Sequence, residues 1–402
     1  MRKFDYKARD KSSEKIVSSM VQAESESSAA KLLIEQGYTP LEIKESSENR
    51  GLFDKITGRI TGKDKIVFMR QLSTLIGAGL PLSQSLRTVL EQTENKQMQR
   101  VIEEIIADVE GGRTLSDAFG KHPNVFDTIV LALISAGEAS GTLDEALKRI
   151  ATQKEKDAAM MSKIKGAMVY PIIVLVVIIG VMLFMLLTVV PQVEKLYKDM
   201  KKPLPALTDI MIHIASFLIN YWFVVIIIIG VAGYFFYQYL KTDAGIKMMD
   251  TLKLNVPLFK GMFRKLYMAR FTRMGQTLLA TGVAMLDMMR ISADGVNNTI
   301  IAAGINRASE KVKGGKPLSA SLQSEEYILS MVPQMIKIGE QSGKIDEMMG
   351  KTAQVYEDEL DEEIKAISTA IEPLLMVVMA VFAGGMVGAI LFPIYSLVGN
   401  IR

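Results

Sequence analysis

The sequence predicts an all-α membrane protein, with two homologous helical bundles, three transmembrane helices and a small N-terminal α+β unit. Three observations carry that prediction. Three apolar runs are each long enough to cross a bilayer, which takes ~20 helical residues. A block of about 125 residues recurs later in the chain at an offset near 203. Between the apolar runs the hydrophobic residues follow the helical period, and period-two alternation is missing there.

Composition narrows the possibilities. Of 402 residues, 49% are hydrophobic and 23% charged, so the apolar residues must be bunched. The absence of cysteine excludes a disulfide-stapled fold and thiolate chemistry. The two histidines, His122 and His213, exclude a His-rich metal centre. A net charge of +3 spread over both signs argues against a nucleic-acid partner.

Residues 1–45 read as the α+β unit. Phe4, Tyr6 and Ala8 alternate as in a strand, Ile16–Val21 and Tyr38–Ile43 suit two more, and Ser25–Gln36 suits a helix ended by Gly37. This stretch lacks the apolar run of a signal peptide, which places the N-terminus in the cytoplasm. Residues 46–63 read as a linker.

The first bundle is expected over residues 64–168. Phe68, Leu72, Leu75 and Ile76 share one stripe, Leu82, Leu86 and Leu90 the next, and Val101, Ile102, Ile105, Ile106 and Val109 a third. The first span is expected over 169–191, an external loop over 192–209 and the second span over 210–240. Tyr221, Trp222, Tyr234 and Tyr237 suit aromatic belts. The second bundle follows over 241–370, the third span over 371–398 and an external tail over 399–402.

The repeat sets the topology. Phe68-Met-Arg70-Gln71 with Gly79 matches Phe271-Thr-Arg-Met with Gly282. Gly111-Gly-Arg matches Gly314-Gly-Lys, and Gly137-Glu138-Ala-Ser-Gly141 matches Gly339-Glu340-Gln-Ser-Gly343. Pro171 and Pro191 recur as Pro373 and Pro393. Two soluble copies, each followed by a span, share a side of the membrane only if another crossing returns the chain, and the second span does so. Lysines and arginines before the first span and after the second agree with copies in the cytoplasm and a C-terminus outside. Lys195, Lys198, Lys201 and Lys202 in the short loop run against that rule.

The duplicated GE-x-SG-x-[LI]-DE box, the GAGLPL turn and the stretch Lys163-Ile-Lys-Gly-Ala-Met-Val-Tyr-Pro171 up to Pro191 together resemble the inner-membrane platform proteins of type IV pilus and type II secretion machines. The resemblance covers essentially the whole chain. It implies cytoplasmic bundles of six helices, no enzymatic activity and no cofactor. The implied partners are a hexameric cytoplasmic ATPase, pilins or pseudopilins, other inner-membrane alignment proteins and further copies of the chain.

Candidate residues have competing readings. Gly111-Gly-Arg and Gly314-Gly-Lys lack the spacing of a phosphate loop and read as helix stops. Glu138 with Asp144, and Glu340 with Asp346, suit helix capping; a hard cation such as calcium and an acid/base pair are the alternatives. Arg70, Gln71, Gly79, Glu138, Gly141, Glu340 and Gly343 are expected to serve bundle integrity or ATPase contact. Pro171 and Pro373 mark the connections between bundle and span. The acidic run Glu357–Glu363 reads as a solvated helix face, or else as a docking surface for a basic partner. Gly384 and Gly388 form a G-x-x-x-G suited to helix packing in lipid. The rival readings are a small-solute or lipid transporter and a scaffold for an unrelated ATPase. Transport is disfavoured because spans one and three have uncharged interiors.

Overall fold

The computed structural model describes residues 2–10, 16–23, 28, 30, 34, 38–45, 59–199 and 206–399. The chain divides into two compact units, residues 1–61 with 94–98, and 62–93 with 99–402.

In the first unit, strands β1 (Arg2–Asp10), β2 (Ile16–Ala23) and β3 (Tyr38–Glu45) form an antiparallel sheet in the order β2-β1-β3. Register runs from Arg2 opposite Ala23 to Arg9 opposite Ile16. The β1–β3 ladder shifts register between Lys7 and Ala8, where Pro40 stands opposite Ala8. Proline has no N–H for a ladder, so an irregular edge strand is where it fits. Of the helix expected over Ser25–Gln36, residues 28, 30 and 34 are described and are helical; the rest of it and most of the linker lie outside the described residues.

The second unit is helical, and six helices occur twice in the same order. The first set is α1 (Gly62–Gly77), α2 (Leu82–Gln92), α3 (Lys96–Glu110), α4 (Leu115–Gly120), α5 (Thr128–Ser140) and α6 (Leu143–Phe184). A π-helical turn, Met185–Val189, carries α6 into α7 (Val190–Asp199), and α8 (Ala206–Asn220), α9 (Trp222–Leu240) and α10 (Asp243–Asn255) follow. The second set is α11 (Lys260–Leu279), α12 (Met285–Gly295), α13 (Thr299–Lys313), α14 (Leu318–Gln323), α15 (Met331–Ser342) and α16 (Ile345–Gly399).

The helix stops explain why the order repeats. Among the described residues, the six glycines with positive φ fall into matched pairs: Gly79 with Gly282, Gly112 with Gly315, and Gly141 with Gly343. Around each of them the next residue's N–H reaches back five positions, as in Leu80 to Leu75 O at 3.1 Å and Val283 to Leu278 O at 3.0 Å. A left-handed residue at this point satisfies the last carbonyls, and glycine adopts it without a Cβ clash.

Each set closes over its own core. In the first, Phe68, Phe119 and Phe126 cluster with ring centroids 4.1–6.0 Å apart, beside buried Leu72, Leu86, Ile105 and Leu147. In the second, Phe271, Met288, Ile305, Leu322 and Met349 are buried. The cores are repacked relative to each other. Leu72 and Leu147 of the first correspond to Gly275 and Met349 of the second, and the Met349 methyl occupies the space beside Gly275.

Among the described residues, three helices are long and apolar enough to cross a membrane, spanning 143–192, 222–240 and 345–385. Their side chains face outward, Val176 62% exposed, Phe235 68% and Val381 72%. That much exposed apolar surface needs lipid around it. Two expectations change. The second crossing is not one helix over 210–240: Tyr221 breaks it, and α9 alone provides 19 residues, about 28 Å of helix. The expected external loop is helical up to Asp199. The π turn lies just before Pro191, which cannot donate to Leu187 O; Val190 N–H bonds to Met185 O instead.

Candidate functional site

The GE-x-SG box is an elbow joining α5 to α6, and again α15 to α16. Gly137 lies where the two helices touch. A Cβ there would come within 2.6 Å of Ala146 Cβ, and one at Gly339 within 2.7 Å of Ile345 Cα. Glu138 turns the other way and caps the short helix α4. Its carboxylate accepts from Leu115 N–H at 2.5 Å and Ser116 N–H at 3.0 Å. Glu340 does the same for α14, accepting from Ser319 N–H at 3.2 Å and Ser319 Oγ–H at 2.5 Å. Ser140 and Ser342 donate back to the carbonyls of Ala136 and Ile338, both at 2.8 Å. Gly141 and Gly343 take φ of +72° and +70° to reverse the chain. Asp144 and Asp346 then enter the first turns of α6 and α16, where acids suit the helix dipole. Every conspicuous residue of the box therefore has a structural task. Among the described residues, no three His, Asp or Glu side chains gather as a metal ion requires.

A second duplicated feature locks the first helix of each set to the last. Arg70 on α1 grips Glu155 on α6 through Nε at 2.7 Å and through Nη2, and this bond holds the Glu155 carboxyl below its usual range. Arg273 on α11 holds Glu357 on α16 through Nε at 2.8 Å. Gln71 bonds Gln92 at 3.0 Å, tying α1 to α2, and Gly79 ends α1.

The two sets meet along a seam of α6, α11 and α16. Met160, Leu266, Leu360, Ile364, Ile367 and Ile371 are buried in it. Ion pairs flank this stripe: Lys156 to Glu357 at 3.1 Å, Arg270 to Asp157 at 2.9 Å and Lys163 to Asp361 at 2.5 Å. Lys265 bonds both Glu359 and Glu363, at 3.3 and 2.8 Å. The acidic run is therefore neither a plain solvated face nor a free docking surface. Four of its six acids are engaged by cations of this chain. The matching stretch of the first copy, residues 155–161, supplies Lys156, and Lys163 lies just beyond it, so two of the four acids are met across the seam and two by Lys265 of their own copy.

The remaining candidates separate. Gly112 and Gly315 are helix stops at φ +87° and +88°, and Thr114 caps α4 by accepting from Asp117 N–H at 3.1 Å. Pro171 lies inside α6 and is buried; Pro373 lies inside α16 and is exposed. Both connections are continuous helix. A Cβ at Gly384 or Gly388 would meet nothing within 4 Å, so neither packs against this chain among the described residues. The sequence marks Glu357 and Asp361 only as members of the acidic run, and it does not mark Glu155 or the pairings. The repeat held a clue to Glu155 and Glu357, since Arg70–Glu155 recurs as Arg273–Glu357.

The architecture defines a class: a multi-pass membrane protein in which a duplicated six-helix module runs without interruption into two of its membrane helices. Family models agree. The type II secretion system protein F model matches residues 68–191 and 271–393, and its N-terminal domain model matches residues 1–44. The type IV pilus assembly protein PilC of Thermus thermophilus is 35% identical over 99% of this chain and 98% of its own length. PilC of Pseudomonas aeruginosa is 34% identical over 92% of this chain and 98% of its own. Type II secretion system protein F of Xanthomonas campestris is 32% identical over 99% of both. The chain belongs to the type II secretion protein F family, which includes the PilC proteins of type IV pili.

Proposed function

We propose that this chain is a non-enzymatic inner-membrane platform that couples a hexameric cytoplasmic ATPase to the assembly of pilins or pseudopilins. The observation that carries the reading is the continuity of α6 and α16. Each begins in a packed bundle and passes unbroken into a membrane span. A displacement applied to a bundle then reaches the bilayer through a rod, with no loop between them to absorb it. The clamps Arg70–Glu155 and Arg273–Glu357 fix each rod to its bundle.

Both modules face the cytoplasm in this reading, with the N-terminus inside and the C-terminus outside. The seam supports it, because modules joined by ion pairs and an apolar stripe lie on one side of the membrane. Epitope tags near residues 100 and 300 should both resist protease added to intact cells; one protected and one cleaved would contradict the topology. Partners are best tested by purifying the tagged protein from membranes. Recovery of a secretion-type ATPase and of pilins supports the platform, and ATP hydrolysis by the protein alone would refute its non-enzymatic character. Self-association and contacts with other alignment proteins belong to the same proposal.

A further inference from the structure

A basic groove opens beside the seam. Its walls are α6 from Glu145 to Lys156 and α11 from Arg273 to Thr277, and it encloses about 460 Å3. Lys148, Arg149, Lys156 and Arg273 line it, against one lining carboxylate, Glu145. Arg149 stands 3.7 Å from Glu145, and Lys148 has no carboxylate within 4 Å among the described residues. Lys156 and Arg273 share Glu357, so two cations answer to one acid. Arg273 Nη2 is buried without an acceptor. A buried charged donor left unpaired is costly, and an anionic oxygen entering here removes that cost.

The duplication supplies an internal control. The clamp Arg273–Glu357 has its twin in Arg70–Glu155, so the scaffold is kept. The charges are not. Positions 148, 149 and 156 correspond to Gly350, Lys351 and Asp358 in the second copy, one cation and one acid, and Lys351 bonds Glu347, the counterpart of Glu145, at 3.0 Å. The positive excess therefore arose on one side only, which packing within a module does not require.

The chemistry of the walls narrows the occupant. No aromatic or large apolar side chain lines the groove, so a nucleobase has nothing to stack on. Lys156 lies fifteen helical residues before Pro171, roughly 22 Å from the membrane entry. Lipid phosphates at the bilayer surface are out of reach. An open groove that offers charge and amides without apolar pockets suits carboxylates on an extended chain.

We propose that this groove docks an acidic polypeptide segment of a partner protein, with Lys148, Arg149 and Lys156 meeting its carboxylates and Arg273 at its floor. The test uses the full-length protein in neutral-lipid nanodiscs and a fluorescein-labelled oligoglutamate peptide, read by anisotropy. Binding should weaken with added salt. Lys148→Glu with Arg149→Glu should lower affinity about tenfold or more at unchanged Tm. Lys365→Glu, an exposed reversal outside the groove, should leave affinity within about twofold. Equal loss from both reversals would make the binding unspecific and overturn the proposal. No loss from the groove variant would overturn it too. Saturable binding of pyrophosphate without binding of the peptide would replace it with a small-anion site.

Discussion

Gly137 and Gly141 are two glycines in one box, kept for different reasons, and that makes them separable. Gly137 has no room, since a methyl would meet Ala146 Cβ at 2.6 Å. Gly141 has room, with nothing within 4 Å, but holds a left-handed φ of +72°. Gly137→Ala should therefore cost the ~1–3 kcal/mol of an overpacked contact. Gly141→Ala should cost only the ~1–2 kcal/mol of left-handed backbone. Thermal unfolding of the purified protein should show Gly137→Ala falling further, and a separation of α5 from α6 should appear as faster proteolysis at the elbow. Equal losses would mean that the helix contact carries nothing beyond backbone conformation. Glu325 provides a pH test at the same scale. Burial alone would raise its carboxyl, but hydrogen bonds from Lys311 and Arg307 outweigh burial and hold it below the usual range. A carboxyl depressed in the folded state stabilises the fold above its unfolded pKa of ~4.3 and loses that contribution as pH falls through the folded value. Glu325→Gln should therefore lower stability near neutrality and flatten the acid limb below about pH 4. An acid limb as steep as the parent's would assign the linkage to other carboxylates.

Helix packing is where the two modules have drifted apart while keeping one fold. The pair Leu72 and Leu147 in the first has become Gly275 and Met349 in the second, one side chain vanishing as the other lengthened. Gly275→Leu alone should drive a side chain into the Met349 methyl, which lies 2.1 Å from where a Cβ would sit. Overpacking of this kind costs ~1–3 kcal/mol. Adding Met349→Leu should restore much of the loss, giving a coupling of ~0.5–3 kcal/mol in a double-mutant cycle. Additive losses would show that the two sites are not compensating. The repeat itself was legible because its markers obey backbone rules: a left-handed stop demands glycine, and so Gly79, Gly112 and Gly141 recur. The break at Tyr221 was not, because Ile210–Leu240 is long, uncharged and mostly apolar, with no proline to mark a stop. The role of the acidic run was hidden for another reason. Asp361 reads as solvated until α6 brings Lys163, some two hundred residues earlier in the chain, against it.

For the molecule as a whole, the seam decides whether the two modules act as one body. Its polar part is built from pairs of unequal depth. Lys163 and Asp361 are 55% and 34% exposed, so that pair is worth ~0–1 kcal/mol. Arg270 is only 11% exposed and faces Asp157 at 34%. Truncating one partner of a fully buried pair costs ~3–5 kcal/mol, and this half-buried one should fall short of that while exceeding the surface pair. Asp157→Arg places two guanidinium groups face to face across the seam, and Arg270→Asp does the same with carboxylates. Either single change should lower Tm, expose the α6–α16 stripe to protease and reduce surface fibres or secretion in a complemented deletion strain. The double exchange restores opposite charges in reversed order and should recover stability and fibre assembly together. Recovery of Tm without recovery of assembly would mean that cohesion of the modules is not what the machine uses. Assembly unaffected by either single change would mean that each rod works alone, and the coupled-module account would then have to give way to two independent tethers.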